Sequence, residues 1–76
     1  MQPYFYQSIQ LLDGGEVKTI CHERPFEASD DESAIVTGEA LHEVLQAAEH
    51  CNAIRVLDAN RAVLWTRLLQ EELIPT

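Results

Sequence analysis

The first apolar run, PYFYQSIQLL, is dense in aromatic and β-branched side chains and predicts a strand over residues 4–12. Asp13, Gly14, Gly15 and Glu16 follow as a turn, because glycine takes positive φ without steric cost. VKTICHE then predicts the return strand. Strict alternation would put Val17, Thr19 and Cys21 on one face and Lys18, Ile20 and His22 on the other. Pro25 either ends the pairing or occupies a sheet edge, since it cannot donate to a ladder.

The pattern changes at Ser29-Asp30-Asp31-Glu32, which has the form of a capping box, with Ser29 as cap and Glu32 reaching back. Asp30 and Asp31 suit the positive end of a helix dipole. Projected at 100° per residue, Ala34, Gly38, Leu41, Val44, Leu45, Ala47 and Ala48 share one arc, with Val36 and Ala40 on its margin. Glu32, Glu39, Glu43, Gln46 and His50 share the opposite arc, flanked by His42 and Glu49, and Ile35 projects among the acids at its border. Gly38 is the weak point, because glycine costs about 1 kcal/mol against alanine in a helix interior. Two starts are open, one near residue 30 and one at Gly38 with Thr37 as cap, and the longer helix is preferred, with Asn52 as a stop.

Beyond it, Ile54 and Val56 alternate with Arg55 and Leu57, and Asp58-Ala59-Asn60 has turn chemistry, with Asn60 suited to the left-handed region. Residues 62–67 read as a strand or a helix; the strand is preferred, followed by a short helical tail over 68–73. The sum is a single α+β domain over 1–76, an antiparallel sheet of ββαββ order with one amphipathic helix packed on one face.

Charge alters this picture more than composition does. The net charge is −8, and residues 1–50 hold ten acids against Lys18 and Arg24, whereas Asp58, Glu71 and Glu72 balance Arg55, Arg61 and Arg67 in the remainder. Such a field repels nucleic acid and anionic membranes and attracts basic partners. No apolar run is long enough to span a bilayer. The opening residues carry neither the basic nor the apolar region of a secretory signal, and two cysteines are few for a small secreted domain. The expectation is a protein of the bacterial cytoplasm.

FEASDDESAI, the helix, and then IRVLDANRAVLW resemble a group of very small uncharacterised bacterial proteins common in alphaproteobacteria. These run strand hairpin, acidic cap, helix and second hairpin, and the resemblance implies the same fold without any established chemistry. They often place glycine in the second turn, where this chain has Asn60-Arg61-Ala62. Small size and strong acidity without a catalytic signature are also similar in type to phage-encoded inhibitors of bacterial defence, the anti-CRISPR proteins, a group with no common sequence motif.

Cys21-His22 and His50-Cys51 offer four soft ligands, but neighbours on a strand or helix diverge and zinc pairs are usually spaced by two to four residues. A Cys21–Cys51 disulfide is conceivable if the helix end crosses the second strand, though a reducing compartment disfavours it. A nucleophilic cysteine would need an orienting group and an oxyanion hole that no motif supplies. No catalytic residue, metal or cofactor is therefore expected. Tyr4, Phe5, Tyr6, Phe26 and Trp65 read as packing residues, since single-strand binders combine aromatics with positive charge.

A solvated helix face is usually charged. This one is one-signed, with no lysine or arginine between residues 29 and 51, and like charges at Glu39 and Glu43 repel. The expected function is that of a non-enzymatic protein-binding inhibitor. Asp30, Asp31, Glu32, Ile35, Glu39 and Glu43 would engage a basic surface on a bacterial nucleic-acid-handling complex, without touching nucleic acid or membrane. The alternative is a small structural protein that forms a homodimer through Trp65 and the leucine-rich tail.

Overall fold

The computed structural model describes residues 1–45 and 51–69. Strand β1, Gln2–Leu11, and strand β2, Val17–Ala28, form the first hairpin. Its turn closes with the Leu12 N–H on the Glu16 carbonyl at 2.8 Å and the Gly15 N–H on the Leu12 carbonyl at 2.9 Å. Gly15 takes φ of 87°, a left-handed value that a side chain would disfavour. Helix α1, Asp31–Leu45, follows, then β3, Ala53–Leu57, and β4, Val63–Leu68. The sheet order is β2-β1-β3-β4 and every pairing is antiparallel. β2 and β3 therefore run the same way on either side of β1, and α1 fills the crossover such a connection needs.

The ββαββ order and the strand at residues 62–67 stand as the sequence pattern suggests. Pro25 does not end β2; it faces Phe5 across the ladder and is tolerated because β2 is an edge strand. The simple alternation of β2 fails. Register shifts between Ser8 and Ile9 and between Gln10 and Leu11 leave Cys21 and Lys18 as extra residues, so Ile20 opposes Ile9 and His22 opposes Ser8. Leu68 belongs to β4 and not to a helical tail; the rest of that expected tail, from residue 70, lies outside the described residues.

The core forms between α1 and the face carrying Tyr4, Phe26, Ala28, Val56 and Trp65, against which Ala34 is completely buried. Tyr4 and Phe26 stack at 5.9 Å between ring centroids. At Gly38 the helix lies close against the sheet, because a Cβ there would collide with the Val56 side chain. The glycine that weakens the helix locally is thus required by the packing, and the helix begins near residue 30.

This contact also rolls the helix away from the arc read from periodicity. The smallest residues, Ala34 and Gly38, define the seam, so Ile35, Leu41 and His42 turn partly inward. Val36 and Val44, expected on or beside the buried arc, are 64% and 78% exposed, and Ala40 is exposed with them. Residues 46–50 of that arc lie outside the described residues.

Candidate functional site

The helix start differs in detail from a Ser29 capping box. The Ser33 N–H donates to Asp30 Oδ1 at 2.8 Å, and the Ala34 N–H donates to the Asp30 carbonyl at 3.0 Å, so Asp30 is the cap. Ser29 meets only the Ser33 hydroxyl, at 3.3 Å. The Ser33 N–H, and then the Ser33 hydroxyl, hold the Asp30 carboxyl below its ordinary range. Asp31 has a different task. Its Oδ1 accepts the hydroxyl of buried Tyr4 at 2.9 Å, tying the helix start to β1. Burial, and then this carboxylate, push the Tyr4 phenol up to about 12. Two of the six residues proposed from sequence for partner contact therefore already serve the fold.

The remaining four separate cleanly. Ile35 is half-buried and is not a ringed, protruding anchor. Glu32, Glu39 and Glu43 are exposed and run along one side of α1. Beside them lies the exposed apolar line of Val36, Ala40 and Val44, one helical turn apart. Near the helix start, Asp30, Glu32, Ser33, Val36 and Thr37 line a shallow, open depression of about 480 Å³. The candidate surface is thus an acidic rail and an apolar rail side by side. The acidic rail follows from charge spacing; the apolar one depends on the helix roll, which spacing alone did not reveal.

Two of the three arginines of the second half, Arg55 and Arg61, are occupied elsewhere. On the sheet face opposite α1, Arg55 Nε donates to Gln7 Oε1 at 2.7 Å, and Gln7 Nε2 donates to Glu23 Oε1 at 2.6 Å. Arg61 closes the chain with Nη1 on Glu23 Oε1 at 2.7 Å, and its guanidinium lies 4.4 Å from the Phe5 ring centroid. Arg61, then Gln7, hold the Glu23 carboxyl below its usual range. Arg61, and not Asn60, takes the left-handed conformation of the second turn, at φ of 63°. The Asp58 carboxylate holds that turn by accepting the Asn60 and Ala62 N–H groups, each at 2.9 Å. Among the described residues, the only ion pair is Arg61–Glu23, and none involves the acidic rail.

Asn52 has a task that its expected place as a helix stop did not suggest. Its side chain is buried, accepts the Leu11 N–H at 2.7 Å and donates to the Leu11 carbonyl at 2.9 Å. It thereby continues the sheet where β3 has not yet begun. Trp65 packs against the helix-side core and is only partly exposed.

Cys51 is buried and Cys21 half-buried, both as free thiols. Burial, together with Cys51 beside it, raises the Cys21 thiol to about 11. Among the described residues, no three His, Cys, Asp or Glu side chains converge as a metal ion would require, and no helix is long and apolar enough to cross a membrane. Comparison with protein-family models, with curated proteins and with solved structures returns no match, so the surface must be interpreted from its own chemistry.

Proposed function

We propose that this protein is a binding module whose exposed α1 face engages a basic surface of another protein. The observation that carries the reading is the pairing of two rails on one helix face: Glu32, Glu39 and Glu43, in no ion pair among the described residues, and Val36 and Val44 largely in solvent. A carboxylate rail alone suits water. Exposed valines beside it suit the aliphatic stems of lysine and arginine, whose charged heads the carboxylates would receive. The depression bounded by Asp30, Glu32 and Val36 offers one such stem a seat.

Surfaces that present arginine and lysine in rows are typically those that bind nucleic acid. The most concrete form of the proposal is therefore a competitor that occupies a nucleic-acid site on a bacterial complex, as an anti-CRISPR protein does. The test is comparative capture from a bacterial lysate rich in defence complexes, with wild type and Glu39→Lys/Glu43→Lys as baits. A basic nucleic-acid-binding protein should be retained by wild type and lost with the variant. Identical retained sets would exclude the acidic face as the binding surface.

A second reading, pairing of two copies along β4, is favoured by Val63 and Leu68, 49% and 52% exposed on an edge strand of the described sheet. Light scattering that shows a monomer at high concentration counts against it.

A further inference from the structure

We propose that Cys21 and Cys51 form a redox couple, a dithiol that closes to an intramolecular disulfide across β1. Cys21 is the extra residue of the β2 bulge between the Ser8 and Ile9 pairs. Cys51 lies just before Asn52, whose backbone N–H donates to the Ile9 carbonyl at 3.1 Å. The two cysteines thus flank the same point of β1 from opposite sides, and the Cys51 thiol is near enough to raise the Cys21 thiol.

Neither cysteine is held in a regular ladder. Strands that share a neighbour lie about 10 Å apart, beyond the roughly 4.4–6.8 Å Cα spacing of a disulfide. Closure therefore requires an inward shift, and the β2 bulge at Cys21 is the place where the backbone can give, since Asn52 beside Cys51 is held to Ile9 and Leu11. The bond so formed is strained and readily reduced.

A hydroperoxide supplies the oxidising equivalent. The half-exposed Cys21 sulfur, as thiolate, attacks the peroxide; an S–O bond forms, the O–O bond breaks, and hydroxide leaves and is protonated to water. The Cys51 sulfur then attacks Cys21; the S–S bond forms, the S–O bond breaks, and the released hydroxide takes the Cys51 proton as a second water. Two thiols lose two electrons and hydrogen peroxide is reduced. With the Cys21 thiol at about 11, only about one molecule in 10⁴ is thiolate at neutral pH. The couple is accordingly a slow latch and not a fast peroxide sensor.

The test treats the folded chain with hydrogen peroxide and maps peptides without reduction. The expected product is a monomer carrying a 21–51 linked peptide that dithiothreitol reverses. Its rate of formation should rise about tenfold per pH unit between pH 7 and 9 and stay unchanged by urea below the unfolding transition. In Cys51→Ala, Cys21 should stop at a sulfenic acid trapped by dimedone. Over-oxidised Cys21 with Cys51 untouched, links only between chains, a rate flat with pH, or a rate that climbs with urea would each overturn the proposal.

Discussion

Replacing Gly38 with alanine sets two effects of opposite sign against each other. In a solvent-facing helix the change stabilises by about 1 kcal/mol, because alanine is the better helix former. Here the new methyl would collide with Val56, which is fully buried and β-branched, so its χ1 has little freedom to move aside. Val56 is also held between Tyr6 and Trp65 in the ladder. Overpacking at such a site costs about 1–3 kcal/mol, and the rigid neighbour places this one in the upper half of that range. The net loss is about 1–2 kcal/mol. For so short a chain, with a urea slope of about 1 kcal/mol/M, the midpoint should fall by about 1–2 M at unchanged slope. Circular dichroism in urea reads this directly. In a Val56→Ala background the clash is absent, and the same substitution should stabilise by up to about 1 kcal/mol. A gain in stability for Gly38→Ala in the wild-type background would refute the close helix–sheet approach and the helix roll that follows from it.

Asn52→Ala leaves the Leu11 N–H and carbonyl unpaired in a buried setting and should cost about 2–4 kcal/mol in the same assay; a loss below about 0.5 kcal/mol would contradict its role as a strand surrogate. Asp30→Ala should lower the thermal midpoint by several degrees while Ser29→Ala leaves it nearly unchanged, and the reverse order would restore Ser29 as the cap. Glu23 has a folded-state pKa below its unfolded value, so its contribution is full above the ordinary carboxylate range of about 4.3 and is lost as pH falls through the depressed folded value. Glu23→Gln should therefore flatten the decline of the urea midpoint between about pH 5 and pH 3, and an unaltered acid limb would show that the Arg61 and Gln7 contacts do not favour the carboxylate.

How much of this was legible in the sequence depends on range. Local signals held in outline: the double glycine of the first turn, the acidic helix start, the turn at Asp58 and the order of elements are each written in neighbouring residues, although the cap is Asp30 and not Ser29 and the left-handed residue is Arg61 and not Asn60. The larger failures were set by contacts across the sheet. Periodicity gave the helix an apolar arc but could not show that Val56 would fix the seam at Ala34 and Gly38, which turned Val36 and Val44 outward. The bulges of β2 depend on the register with β1, and no pattern within β2 announces them. The Gln7, Glu23, Arg55 and Arg61 network joins three strands and a turn, so composition showed only that the charges of the second half balance. The acidic rail was visible because it needs only spacing along one helix.

The proposed binding surface is the α1 face, with its carboxylate and valine rails. The most direct measurement is an equilibrium titration of the captured basic partner with wild type and with Glu39→Lys/Glu43→Lys, at low and high salt. Both side chains are exposed, so the fold should survive the reversal. Two lost attractions replaced by two repulsions should weaken binding by at least about tenfold, and the difference should shrink as salt rises. Equal affinity for the two proteins at low salt would contradict the claim.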